Sequence, residues 1–169
     1  MVTGGQRSGK SVFAENLALS LSERPVYLAT AEIFDEEMRR RVTIHRQRRE
    51  KRWHNLEEPL HISAITLNEE DTVLIDCLTL WASNWFFRYN ENITQALETM
   101  QHELKQLFSH NITLIIVTNE IGLGGVSENA TQRHFTDLQG SINQFVASAA
   151  DEVYLTVSGI PVKIKSDKP

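Results

Sequence analysis

The stretch Gly4-Gly5-Gln6-Arg7-Ser8-Gly9-Lys10-Ser11 decides how the rest of this sequence is read. It satisfies the spacing G-x-x-x-x-G-K-[ST], in which backbone N–H groups wrap around phosphates, the lysine reaches the outer phosphates and the hydroxyl holds Mg²⁺. Gly4 and Gly9 permit close approaches that a Cβ forbids. A glycine-rich turn that matches by chance is the alternative. The residues that follow argue against it. Val12 to Leu21 reads as a helix with Ala14, Leu17, Ala18 and Leu21 on one side, and a phosphate loop has to open a helix. Only Met1, Val2 and Thr3 precede the loop, so the strand expected there is either very short or continued upstream of Met1.

Beyond the loop, four apolar runs have the make-up of buried parallel strands: 26–30, 72–76, 113–118 and 152–157. Helical stretches are predicted between them at 11–22, 35–52, 94–108 and 133–150. The last carries Phe135, Leu138, Ile142, Phe145, Val146 and Ala149 at helical spacing. Alternating strands and helices predict an α/β fold, a doubly wound and mostly parallel sheet, in one domain spanning residues 1–169. The run 160–165 alternates as a half-exposed edge strand, paired antiparallel with the Val153 segment through Ser158-Gly159.

A chain of 169 residues is long enough to bury a core, and its formal net charge of −5 speaks against general nucleic-acid affinity. Cys77 is the only cysteine, which excludes an internal disulfide and suits a reducing cytoplasm. The chain opens on the phosphate loop instead of a signal peptide, and its apolar runs are too short to span a bilayer. These features together predict a cytoplasmic enzyme with no nucleic-acid partner and no membrane span.

In doubly wound sheets ligands gather at the carboxyl ends of the strands. That rule selects Thr30-Ala31-Glu32, Asp76-Cys77-Leu78-Thr79 and Thr118-Asn119-Glu120. Asp76 closes an apolar strand, where an acid can accept a hydrogen bond from Ser11 or from a Mg²⁺-bound water. Capping a helix that starts at Cys77 or Leu78 is its other reading; the metal implied by the loop favours the first. Glu120 is a weaker candidate for similar work, or a pin for the loop 122–125.

Residues 39–52 concentrate base in an otherwise acidic chain. Met38, Val42 and His45 fall at i, i+4 and i+7, so His45 extends an apolar stripe while most of the arginines face elsewhere. A structural histidine beside a solvated basic face accounts for this pattern. So does a nucleotidyl relay. A neutral imidazole is nucleophilic near pH 7, its phosphoramidate passes the group onward, and Arg46, Arg48 and Arg49 suit a leaving pyrophosphate. The other histidines (His54, His61, His102, His110 and His134) have no comparable setting and no metal-ligand spacing.

Several pieces combine into a more specific pattern. They are Thr-Gly-Gly-Gln-Arg-Ser-Gly-Lys-Ser (3–11), Tyr-Leu-Ala-Thr-Ala (27–31), and Arg41-Val42 followed by His45, Arg48, Arg49, Trp53, Glu57 and Pro59. The pattern continues with Asp-Cys-Leu-Thr-Leu-Trp (76–81), Asn84 and Thr-Asn-Glu-Ile-Gly-Leu-Gly (118–124), and runs on to Arg133, Phe135, Asp137, Gly140, Asn143, Gln144, Ala150, Asp151 and Gly159. In these residues the chain resembles the bifunctional adenosylcobinamide kinase/adenosylcobinamide-phosphate guanylyltransferase family, over nearly its whole length. The resemblance implies a RecA-like phosphate-loop fold, GTP and ATP as nucleotides with Mg²⁺, and a homotrimer. It implies two reactions. One phosphorylates the aminopropanol hydroxyl of adenosylcobinamide; the other joins GMP to adenosylcobinamide phosphate and releases pyrophosphate.

The resemblance makes His45 the residue that carries GMP covalently, with Lys10 neutralising phosphate charge. It places nucleotide contacts on Gly4, Gly5, Gln6, Arg7, Ser8, Gly9, Lys10 and Ser11, on Thr30, Ala31 and Glu32, on Arg46, Gln47, Arg48 and Arg49, and on Glu57. Ser11 and Asp76 are the metal-side residues. A carboxylate at Glu57 suits the N1–H and N2–H₂ donors of guanine; an exposed acid before Pro59 is its other reading. Gly125 and Ser127 depart from the family's pattern after the glycine loop. No residue stands out as the general base of the kinase step, for which Asp76 and Glu120 are the candidates.

Overall fold

The computed structural model describes residues 1–32, 36 and 52–166. The strands are β1 (Val2–Gly4), β2 (Val26–Ala29), β3 (His54–Glu57), β4 (Thr72–Asp76), β5 (Thr113–Val117), β6 (Glu152–Val157) and β7 (Ile160–Ser166). The helices are α1 (Lys10–Leu21), α2 (Leu78–Arg88), α3 (Ile93–Phe108) and α4 (Ala130–Ala149), with single 3₁₀ turns at Ile62–Ala64 and Gly122–Gly124. The helix predicted at 35–52 falls almost wholly outside the described residues.

The strands form one sheet in the order β3-β2-β4-β5-β1-β6-β7, parallel throughout except for the β6–β7 hairpin. The predicted doubly wound sheet with an antiparallel edge is therefore present. The strand before the phosphate loop is the three-residue β1. The sheet also contains β3, which sequence reasoning did not anticipate.

Helices cover both faces, and the residues sort into two apolar layers. On one face Ala14 and Ala18 of α1 pack with Val2, Tyr27, Leu74, Ile115, Val117 and Trp53. On the other, α2, α3 and α4 bury Trp81, Phe86, Met100, Leu104, Leu138 and Ile142 against Leu28, Val73, Ile75 and Ile116. Consecutive strand residues thus serve opposite layers, as the two-residue period of a strand requires. That leaves β2 and β4 apolar almost throughout.

The helix starts differ in a way that bears on function. Asn92 caps α3 by accepting from Gln95 N–H at 3.1 Å, and Asn129 caps α4 by accepting from Gln132 N–H at 3.0 Å. The α1 cap is Gly9 at φ 92°, which offers no side chain to the first-turn donors. Those N–H groups are left for an anion at the loop.

Candidate functional site

The register of the sheet assembles the site. Ala29 pairs with Glu57 on one side and Asp76 on the other, and Asp76 pairs with Val117. The carboxyl ends of β3, β2, β4 and β5 therefore lie level, with the phosphate loop rising from the end of β1. Side chains at paired positions of parallel strands share a face, so Glu57, Ala29 and Asp76 project toward the α1 side. Asp76 and Glu57 stand two strand spacings apart, about 10 Å.

Within the loop, Ser8 N–H donates to the Gly5 carbonyl at 3.2 Å, leaving Gly5, Gln6 and Arg7 exposed at its tip. Lys10 is buried at 8% exposure, and its Nζ donates back to the Gly5 carbonyl at 3.0 Å. Desolvation lowers the Lys10 pKa, while Cys77 and Asp76 lie near enough to oppose that shift. A dehydrated ammonium held inside the loop is ready for a phosphate oxygen. Ser11 follows, half-buried in the first turn of α1.

Asp76 is oriented by a residue that sequence reasoning missed: buried Tyr27 donates its hydroxyl to Asp76 Oδ2 at 2.6 Å. The side chain of Asp76 thus has a fixed partner two residues back along the neighbouring strand. Beside it, Thr30 locks β2 to the end of β4. Its Oγ1 donates to the Cys77 carbonyl at 2.8 Å and accepts from Cys77 N–H at 3.0 Å. Asn84 of α2 donates to the Thr30 carbonyl and to the Pro59 carbonyl, each at 2.8 Å. Thr30 therefore holds the edge in place, and Ala31 and Glu32 stand half-buried beyond it.

A buried polar network fixes the end of β5. Thr118 Oγ1 donates to Asn143 Oδ1 at 2.7 Å and accepts from Gln139 Nε2 at 2.9 Å, while Asn119 N–H donates to Thr79 Oγ1 at 2.9 Å. Glu120 N–H then donates to the Gly4 carbonyl at 3.0 Å, which brings this acid to the root of the phosphate loop. Ser127 is engaged as well: its hydroxyl donates to Gln132 Oε1 at 2.7 Å and accepts from Asn129 N–H at 3.1 Å, bracing the start of α4.

His45, Arg46, Gln47, Arg48 and Arg49 lie outside the described residues. The described residues resume at Arg52, and Trp53 is buried edge-on against Tyr27 with ring centroids 5.5 Å apart. Among the described residues, no group of three or more His, Cys, Asp or Glu is placed to hold a metal ion by itself. The donors present are one hydroxyl and one carboxylate. They fit Mg²⁺, which commonly takes one or two protein ligands and completes its shell with waters and nucleotide phosphates.

Cys77 borders the site but is chemically quiet. Burial, with the Asp76 carboxylate adding to it, pushes the thiol up to about 12. Alkylation requires the thiolate. Iodoacetamide at pH 8 is therefore expected to modify native Cys77 at least about a hundredfold more slowly than the unfolded chain. Mass spectrometry of timed aliquots checks this, and equal rates contradict it.

Among the described residues no helix is long and apolar enough to cross a membrane. Comparison with known proteins agrees with the geometry. The family model described as "Cobinamide kinase / cobinamide phosphate guanyltransferase" matches residues 1–164. The bifunctional adenosylcobalamin biosynthesis protein CobU of Escherichia coli (strain K12) is 40% identical, with 98% of each chain covered. The protein of the same name from Salmonella typhimurium is 38% identical, again over 98% of each. CobP of Pseudomonas aeruginosa, also a bifunctional adenosylcobalamin biosynthesis protein, is 36% identical over 99% of this chain and 97% of its own. Among solved structures, an ATPase domain aligns with 91% of this chain and 67% of its own at a TM-score of 0.46 and 14% identity, a likeness too weak to add to the topology. The chain belongs to the cobinamide kinase/cobinamide phosphate guanyltransferase family.

Proposed function

We propose that this protein is a cytoplasmic transferase that first phosphorylates the aminopropanol hydroxyl of adenosylcobinamide and then joins GMP to that phosphate. One observation carries the reading. A family member's phosphate loop, its buried lysine and an oriented carboxylate converge on one sheet edge, with Glu57 two strands away. That spacing suits a guanine nucleotide whose phosphates lie at Lys10 and whose base donates to Glu57. The nucleotide contacts are Gly4 to Ser11, Thr30 to Glu32 and Arg46 to Arg49, with Glu57 on the base.

In the kinase step the cobinamide hydroxyl attacks the γ-phosphorus of ATP or GTP, and the nucleoside diphosphate leaves. The hydroxyl's proton passes to a carboxylate at the strand ends, for which Asp76 and Glu120 are the candidates. In the guanylyl step a His45 ring nitrogen attacks the α-phosphorus of GTP, the bond to the β-phosphate oxygen breaks, and pyrophosphate departs with its electron pair. A phosphate oxygen of adenosylcobinamide phosphate then displaces the histidine, which regains its neutral ring. Two in-line displacements give overall retention at phosphorus. Lys10, the α1 N–H donors, Arg46, Arg48 and Arg49 hold the charge that develops on the phosphates. Ser11 and Asp76 would hold Mg²⁺, Asp76 through a water, and the ion would supply charge neutralisation at the phosphates.

The segment that carries His45 joins the end of β2 to the start of β3 in the sequence. Just before β3, Trp53 packs on Tyr27. A homotrimer belongs to the same reading, supported by the exposed apolar side chains Ile160, Val162 and Ile164 on the edge strand β7.

Purified protein incubated with adenosylcobinamide and Mg²⁺–GTP tests the proposal. Chromatography is expected to show the phosphate first and the GDP-linked corrinoid after it. Nucleotide binding with no conversion of the corrinoid would instead identify a nucleotide-controlled binding module.

A further inference from the structure

The phosphate loop does not stand by itself. A second backbone segment, far along the chain, is pressed against it at both ends. Gly4 pairs with Thr156 of β6, and a Cβ at Gly4 would lie 2.5 Å from the Thr156 carbonyl oxygen and 2.7 Å from Ser8 Oγ. At the other end a Cβ on Gly9 would lie 2.9 Å from Gly159 Cα. Between these contacts Gly159 N–H donates to the Ser8 carbonyl at 2.8 Å. The hydroxyls of Ser8 and Thr156 are buried at this contact, without a hydrogen-bond partner among the described residues. The turn that does this is Ser158-Gly159, with φ 51° and 85° at its two residues, the left-handed pair that joins two hairpin strands.

We infer that the β6–β7 turn, through Gly159, is a positioning element for nucleotide binding: it holds the phosphate loop in the conformation that receives the triphosphate. This rests on the loop being the nucleotide site, as proposed above. Gly159 touches neither the phosphates nor the reacting atoms in this account. It acts by fixing the Ser8 carbonyl, and with it the peptide that leads into Gly9 and the α1 donors. Space around Gly159 is open, since a Cβ there would meet nothing within 4 Å. Its requirement is therefore conformational. Asparagine tolerates this backbone region, and a β-branched residue does not.

Calorimetric titration with Mg²⁺–GTP tests the inference on four proteins: the unaltered chain, Gly159→Asn, Gly159→Val and Ile164→Gly. The last weakens the exposed β7 strand away from the turn. Gly159→Val is expected to raise Kd about tenfold, the worth of one well-placed hydrogen bond, and Gly159→Asn to stay within about threefold. Ile164→Gly should lower the melting temperature and leave Kd unchanged. The inference is overturned if Gly159→Val binds like the unaltered protein, or if Ile164→Gly weakens binding as much. Failure of the unaltered protein to bind overturns the nucleotide-site reading and this inference together.

Should Gly159→Val not fold, the unaltered protein answers through linkage. If the turn favours the binding conformation, bound GTP must favour the turn's contact by the same factor. Exchange of the Gly159 amide hydrogen is expected to slow when Mg²⁺–GTP binds, and unchanged exchange overturns the inference.

Discussion

Lys10→Ala is expected to lower both reactions by about a thousandfold, because in the proposed mechanism one buried ammonium serves the outer phosphates in each. Lys10 has 8% exposure and already points at the Gly5 carbonyl inside the loop, so its charge is paired with little water. Removing it takes away a preorganised cation where leaving-group charge accumulates. The fold should tolerate the change, because desolvation disfavours the charged lysine that alanine removes. Circular dichroism should therefore show a folded protein with an unchanged or higher melting temperature, while steady-state assays show the loss. Activity within tenfold of the unaltered protein contradicts the assignment. A pH effect accompanies it. Since the Lys10 pKa lies below its ordinary value of 10.5, nucleotide binding to the free protein should weaken as pH rises through that lowered pKa.

His45→Ala has a different signature, a split between the two activities. In the proposed mechanism the kinase step does not use the imidazole, so phosphorylation of adenosylcobinamide should stay within a few-fold. Guanylyl transfer loses its nucleophile and should fall by about ten-thousandfold or more. The product pattern then stops at adenosylcobinamide phosphate. A phosphate-loop kinase with a purely structural histidine gives another outcome: both rates change together, or neither does. Measuring both products in one time course separates these cases. Equal residual rates for the two steps contradict the relay.

The strands that bury both faces were readable from sequence. Thr72–Asp76 and Thr113–Val117 are short β-branched runs in the interior of the sheet, where apolar composition and strand position agree. Strand β3 was not readable. His54-Asn55-Leu56-Glu57 is largely exposed at the sheet edge, and its pairing with β2 lies in backbone hydrogen bonds that leave no composition signal. Helix α2 was not among the predicted helices, for the opposite reason. Seven of its residues are buried, including Trp81, Ala82, Asn84 and Trp85, so no polar face gives it a period. Helix α4 starts three residues before the predicted boundary because Asn129 caps it.

The same division holds at the site. The phosphate loop and Asp76 were legible because their chemistry is local in sequence and tied to strand ends. The Tyr27 hydrogen bond to Asp76, the lock between Thr30 and Cys77, and the turn behind the loop all join residues distant in the chain. No spacing rule encodes such contacts; they appear only once strand order is known. Ser127 shows the converse. It breaks the family's pattern in sequence, yet its hydroxyl has two partners that stabilise the start of α4.

The central claim is that one triphosphate site sends GMP through His45 to the corrinoid phosphate. It is tested most directly by mixing the protein with α-³²P-labelled GTP and Mg²⁺ in the absence of corrinoid, then denaturing it. The account predicts label that survives denaturation, is released by acid, maps to the peptide containing His45 and is discharged by adding adenosylcobinamide phosphate beforehand. Protein that forms GDP-linked corrinoid while never carrying the label, or carrying it on another residue, contradicts the account.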